Sequence, residues 1–153
     1  MTLEPFPVNR STPLAILAFD FGTNRIGVAF GQSLTGTAST VCVLKAKDGV
    51  PDWNQILKLI QVWNPDAFLV GLPYSMNGSE SEMLVRAQKF GNRLNGRFHK
   101  PCFGIDERLS SMEAREQFFT SNTNPKKRAA IDDVAAQIIL ENWFNELRQA
   151  TKL

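Results

Sequence analysis

The chain has a single histidine, His99, among its 153 residues, and this scarcity argues against a nucleophilic triad, which needs an imidazole to take the proton. Its only two cysteines, Cys42 and Cys102, stand in apolar strand-like runs without metal-ligand or redox spacing, so buried, reduced thiols are expected. No apolar run approaches the roughly 20 residues of a membrane span. Residues 1–10 also lack the basic start and apolar core of a secretory signal. A cytoplasmic protein with no membrane partner is the expectation. An excess of one charge is missing as well: 17 Lys and Arg stand against 15 Asp and Glu, a net +2. Affinity for nucleic acid would then come from local patches and bound cations rather than from the whole-molecule field. The length fits one domain, read as a flexible tail over 1–12 and a single domain over 13–150.

What the chain does have is a legible order of elements. Residues 14–19 are apolar without a break, as in a strand buried on both faces, and Asp20 interrupts the run before a glycine turn. Burying a carboxylate is costly unless something compensates it; a metal ion, or a phosphate bound on the turn, would do so. The spacing predicts strands over 14–21, 26–31 and 37–44, joined first by Gly22-Thr23-Asn24. Asp48-Gly49 then breaks the chain before a helix over 52–63, where Trp53, Ile56, Leu57, Ile60 and Trp63 keep helical spacing. A strand over 67–72 follows. Ser79-Glu80-Ser81-Glu82 matches a capping box for a helix with Met83, Ala87, Phe90 and Leu94 as its buried stripe and Gly96 as its stop. Next come a strand over 101–105, a helix opened by Ser110-Ser111-Met112-Glu113 and running to about 120, a polar loop over 122–127, and a last helix from about 132 to 148. Short turns between the first three strands imply antiparallel pairing, and helices between the later ones imply parallel crossovers. The expected fold class is α/β: a mixed five-stranded sheet flanked by helices, similar to the ribonuclease H-like fold.

Acidic residues stand where these elements end. Asp20 closes the first strand, Asp106-Glu107 follows the last, and Asp132-Asp133 opens the final helix. Hard carboxylate oxygens from separate elements can hold two divalent cations roughly 4 Å apart around a scissile phosphate. Asp132 shares a helix face with Ala135, Ala136, Ile139 and Trp143, which favours it as a ligand, whereas Asp133 is turned away and favours the role of an N-terminal charge; both readings stay open for each. Asp106 and Glu107 point to opposite faces if the strand continues, so one of them serves the site, and Glu107 has the longer reach. One difficulty is visible: the last strand is expected about 10 Å from the first, two strand spacings away, and Val70-Gly71-Leu72-Pro73 between them offers no carboxylate.

Four motifs in order carry a resemblance over nearly the whole chain, from Ala15 to Phe144. They are Asp20-Phe21-Gly22-Thr23 with Arg25-Ile26-Gly27-Val28-Ala29; Val70-Gly71-Leu72-Pro73 with Asn77-Gly78; Asp106-Glu107-Arg108-Leu109-Ser110; and Asp132 ahead of Ala135-Ala136 and Ile138-Ile139-Leu140. The sequence resembles the YqgF/RuvX family of Holliday junction resolvase-like, pre-16S rRNA processing nucleases. That resemblance implies a ribonuclease H-like fold and a Mg²⁺- or Mn²⁺-dependent nuclease acting on structured nucleic acid. Its substrate would be precursor rRNA at the 5′ end of the small-subunit RNA, or branched DNA, with ribosome-assembly particles as possible partners. It implies Asp20, Glu107 and Asp132 as catalytic carboxylates and metal ligands, with Asp106 and Asp133 as further candidates. Gly22, Gly27, Gly71 and Pro73 become structural positions, and Asn77 and Arg108 nucleic-acid contacts. The family usually has a small residue after the last aspartate, where this chain has Asp133.

Positive charge is patchy. Arg86, Lys89, Arg93 and Arg97 recur along one helix and read either as a phosphate-tracking stripe or as a solvated face. Lys126, Lys127 and Arg128 lie close before Asp132 and are the better candidates to hold a backbone near the metals. Arg25 could contact a phosphate or pair with an acidic neighbour. The three tryptophans, Trp53, Trp63 and Trp143, fit helix stripes and read as core. Two other classes compete with a nuclease. Asp20-Phe21-Gly22-Thr23 also resembles the phosphate motif of actin-like sugar kinases, although the chain has room for only one of the two domains that close over a nucleotide. A non-catalytic nucleic-acid-binding ribosome-assembly factor is the other.

Overall fold

A computed structural model of the chain describes residues 3–74, 81–107 and 131–151, with 131–133, 150 and 151 as backbone alone. The helix expected from 110, the loop over 122–127, and Asn77, Arg108, Lys126, Lys127 and Arg128 lie outside the described residues.

Strands β1 (Ala15–Asp20), β2 (Arg25–Gln32) and β3 (Thr37–Lys47) form the expected antiparallel meander. A two-residue strand β4 (Val50–Pro51) pairs with the end of β3. Strand β5 (Ala67–Leu72) pairs parallel to β1, and β6 (Cys102–Asp106) parallel to β5. The sheet order is β4-β3-β2-β1-β5-β6, which makes six strands where five were expected. The extra strand exists because Asp48 and Gly49 both take left-handed conformations, φ 51° and 81°, as a tight hairpin turn demands. Asp-Gly is the usual signature of that turn, and its reading as a plain break missed β4.

Strand alternation assigns the two faces of the sheet. Leu17 and Phe19 of β1, with Phe68 and Val70 of β5, pack under helices α1 (Trp53–Trp63) and α2 (Glu82–Phe98). Ile16 and Ala18, with Ala67, Leu69, Phe103 and Ile105, pack under helix α3 (Ile131–Thr151) through Ile139, Leu140, Trp143, Phe144 and Leu147. With helices on both faces, β1 and β5 need apolar residues at nearly every position, and have them.

The helix ends shift some expected boundaries. Asp52 caps α1, its Oδ1 accepting from the Asn54 amide at 3.0 Å. The cap of α2 is Ser81, two residues later than Ser79, and its Oγ accepts from the Leu84 amide at 3.1 Å. The buried stripe is therefore Leu84, Ala87, Phe90, Gly91 and Leu94, with Met83 only half-buried. Gly96 does not stop the helix, which continues to Phe98 and ends where His99 adopts φ 56° and donates its amide to the Asn95 carbonyl. Trp143 is fully buried and Trp53 half-buried, but Trp63 is 37% exposed, its ring packed on Phe30.

Residues 3–6, expected within a loose tail, are docked. Leu3 is 7% exposed and fills the space left by Gly91 of α2 and Gly104 of β6. Glu4 bridges Phe103, its carbonyl accepting from the Gly104 amide at 3.0 Å. The Pro5 carbonyl accepts from the Trp143 indole at 2.7 Å, and Phe6 stacks on the same indole. Two aromatic rings and an apolar side chain outweigh the polar look of the segment. The cysteines are free and half-buried rather than fully buried, and burial pushes the Cys102 thiol up to about 12. No helix among the described residues is long and apolar enough to cross a membrane.

Candidate active site

The interruption at Asp20 is explained by where β1 ends. Asp20 continues the Ile16 and Ala18 side of the strand, so its carboxylate belongs to the face covered by α3. It is 6% exposed, and it is the one buried charged residue among those described. Its cross-strand partner on β2 is Gly27. On the other side, the parallel pairing of Phe19 with Val70 puts Asp20 beside Gly71 of β5. Directly opposed residues of paired strands share a face. Asp20 is thus flanked by two positions without side chains, and the sheet forms a trough around its carboxylate.

Glu107 enters this trough from β6. Ile105 pairs with Gly71 and faces α3, so Asp106 points to the opposite face and Glu107, two residues after Ile105, returns to the face of Asp20. A Cβ built on Gly71 would collide with Oε1 of Glu107 and lie 2.9 Å from its Cγ and 2.8 Å from the Ile139 Cδ1 of α3. The Glu107 carboxyl therefore occupies the place of the side chain that Gly71 lacks. Two strand spacings did separate Asp20 from the last strand, as anticipated, and the glycine between them is what a long carboxylate crosses.

Helix α3 brings its N-terminus to the same end of the sheet. Toward its C-terminus, Arg148 lies against Gly36 in the β2–β3 turn and Phe144 against Gly31, the partner of Ile16 at the start of β1. Ile139 lies against Gly71, at the level of Asp20. The helix thus runs antiparallel to β1 and carries positions 131–133 toward the Asp20 end, with the positive pole of its dipole leading. By the helical step of about 100° per residue, position 132 falls near the middle of the arc set by Ala135, Ala136, Ile139 and Trp143, and position 133 falls outside it.

The other expected residues are dispersed around this end. Gly22 lies in the β1–β2 turn, where the Arg25 carbonyl takes the place of a Cβ and forbids a side chain. Arg25 is exposed at the start of β2 and forms no ion pair with a described residue. Pro73 follows β5, its carbonyl accepting from Ser81 Oγ at 3.4 Å. Among the described residues no three Asp, Glu, His or Cys side chains converge into a metal cage. Asp20 and Glu107, brought to the same face of the sheet on either side of Gly71, offer hard oxygen donors of the kind that suit Mg²⁺ or Mn²⁺. Gly71, expected only as a structural position, is where the Glu107 side chain lies; a glycine inside an otherwise apolar strand was the available signal.

Comparison with known proteins identifies the family. Residues 14–146 match the family described as "RuvX: Holliday junction resolvase". A protein of Pseudomonas paraeruginosa carrying the name "Putative pre-16S rRNA nuclease" is 51% identical over 132 residues, covering 86% of this chain and 92% of that protein. Relatives with the same name in Glaesserella parasuis and Aeromonas hydrophila are each 49% identical, covering 86% of this chain and 96% and 95% of theirs. Among solved structures, Thermus thermophilus RuvC in complex with a Holliday junction substrate superposes with a TM-score of 0.54 at 15% identity, covering 90% of this chain and 96% of that one. That likeness is one of fold, and the fold is ribonuclease H-like. The chain belongs to the RuvX family of resolvase-like nucleases.

Proposed function

We propose that the protein is a divalent-metal-dependent nuclease that hydrolyses phosphodiester bonds in structured RNA, and that its substrate is the 5′ region of precursor 16S rRNA in assembling cytoplasmic ribosomal particles. The observation that carries this reading is the carboxylate trough: Asp20 between Gly27 and Gly71, with Glu107 lying over Gly71. The relatives' shared name supplies the RNA.

Asp20, Glu107 and Asp132 are the residues that would hold Mg²⁺ or Mn²⁺. The bound ions would supply positive charge against the scissile phosphate and activate water for attack on it. Asp20 is fixed by its strand and sets the position of the site; Glu107, on a longer side chain, closes it from β6. Gly71 leaves the space that the Glu107 side chain takes up beside Asp20. The N-terminus of α3 adds partial positive charge where the phosphate sits. Asp133 is assigned to that helix terminus, and Asp106, facing away, to no step. Arg25, exposed beside the turn, is assigned to the substrate backbone. Asn77, Arg108, Lys126, Lys127 and Arg128 are assigned to it by the family motif or by their closeness in sequence to Asp132.

The test is cleavage of a precursor 16S rRNA fragment and, in parallel, of a four-way DNA junction of matched length, with Mg²⁺, with Mn²⁺ and with EDTA. The proposal expects metal-dependent cleavage of the RNA, at least tenfold faster than that of the junction. Faster cleavage of the junction would replace RNA by branched DNA as the substrate. No cleavage of either with both metals would favour a binding factor that has kept the fold.

A further inference from the structure

The basic stripe on α2 is resolved into three different environments. Arg86 is tied down, its Nη1 2.9 Å from Asp48 Oδ1 and its Nη2 3.1 Å from Glu82 Oε1. Arg97, at the far end, lies with its guanidinium 4.3 Å from the centre of the Trp53 ring. Lys89 and Arg93 between them are exposed and form no ion pair with a described residue. Both line a pocket closed by Phe21, Phe90, Arg86 and the Asp48-Gly49 turn.

The pocket is built on the same loop as the carboxylate site. Phe21 directly follows Asp20 and packs toward α2, its ring 5.3 Å from that of Phe90. The loop is clamped to the β3–β4 hairpin: the Gly49 amide donates to the Thr23 carbonyl and the Ala46 amide to the Asn24 carbonyl, each at 2.8 Å. Gly49 lies so close to Phe21 that an added Cβ would come within 2.9 Å of the ring. The pocket and the trough therefore stand back to back across one rigid strand end, one on each face of the sheet. Arg86, Lys89 and Arg93 against Asp48 leave the pocket with an excess of positive charge.

We propose that this pocket is a second substrate subsite, in which Lys89 and Arg93 hold a backbone phosphate of an unpaired RNA strand that crosses the β1–β2 loop from the trough. The proposal rests on the nuclease reading above and deepens it. Two exposed cations that form no ion pair with a described residue, on the wall of a pocket beside the partly buried Phe21, suit phosphate contact without base reading. The pairing of Arg86 with Asp48 and Glu82 fixes the wall and leaves the two neighbours for the ligand. The pocket, about 280 Å³ in volume, has room for a nucleotide of a single strand and not for a duplex.

Binding of a fluorescein-labelled 12-nucleotide single-stranded RNA, measured by anisotropy in EDTA over a series of salt concentrations, tests the subsite without requiring catalysis. The Lys89→Gln/Arg93→Gln double variant, with both changes at exposed positions, is expected to bind about tenfold more weakly at 0.1 M salt. Its slope of log affinity against log salt should be shallower by about 0.7, one phosphate contact on a single strand. Arg97→Gln, one charge lost from the same helix outside the pocket, is expected to bind within twofold of wild type. Unchanged affinity and slope in the double variant, or an equal loss in Arg97→Gln, would overturn the subsite. If wild type itself binds no single-stranded RNA, the subsite is overturned, while the nuclease reading is decided separately by the cleavage assay above.

Discussion

The Glu107 carboxyl lies over Gly71, in the volume that a side chain there would fill, and so stands across β5 from Asp20. Glu107 can reach across toward Asp20 because the strand between them contributes only backbone at that level. Under the proposed function, Gly71 is a positioning residue for Glu107.

Gly71→Ala is therefore expected to lower cleavage about a hundredfold, since a misplacement of about 1 Å in a catalytic group has that effect. The added methyl also crowds Ile139, costing about 1–3 kcal/mol of stability by overpacking. Cleavage rates at a temperature where circular dichroism shows the variant folded separate the two effects. Wild-type activity in a folded Gly71→Ala protein would show that Glu107 does not need that space.

Asp106 and Glu107 are neighbours in sequence on opposite faces of the sheet. Glu107→Gln should lose about two orders of magnitude or more in cleavage rate, the scale of a lost electrostatic contact at a reacting centre, whereas Asp106→Asn should retain most of the rate. Assay of both variants under one condition decides the assignment; a greater loss in Asp106→Asn would reverse it.

Leu3 fills the gap between Gly91 and Gly104, so Leu3→Ala should destabilise the protein by about 2–4 kcal/mol as a buried leucine truncation does. Urea unfolding measures it. An unchanged midpoint would mean that residues 3–6 contribute nothing to the fold.

Cys102 gives a pH signature. Its folded thiol is pushed up to about 12 by burial, against an ordinary value of 9.0. Because the folded value is the higher one, the contribution is fully present below about pH 9 and declines between about pH 9 and 12, where only the unfolded thiol ionises. Melting temperature should fall across that range, and Cys102→Ala should fall less. Identical alkaline profiles would contradict the burial of this thiol.

Much of this arrangement was legible in the sequence, because the central strands carry patterns with one reading. An apolar run ending in a carboxylate at Asp20, and the later carboxylates at element ends, needed only periodicity and the cost of burying charge. The faces were legible too: that Asp106 and Glu107 diverge follows from strand alternation. What escaped was what depends on residues far apart in the chain. Gly71 has no side chain to signal its partner, so its relation to Glu107 appears only once the β5–β6 register is known. The docking of Leu3 and Phe6 requires the distant Gly91, Gly104 and Trp143 to be assembled first. The β4 hairpin was missed for a local reason, since two left-handed residues at Asp48-Gly49 can end a strand or turn it back. Positions 132 and 133 are described only as backbone in the first turn of α3.

The account rests most heavily on Asp20, and the single-turnover rate of precursor rRNA cleavage at saturating Mg²⁺ by Asp20→Asn tests it most directly. A rate reduced by about a thousandfold or more, with RNA affinity in EDTA within about twofold of wild type, is the predicted result. Cleavage by Asp20→Asn at the wild-type rate would contradict a catalytic carboxylate at the end of β1.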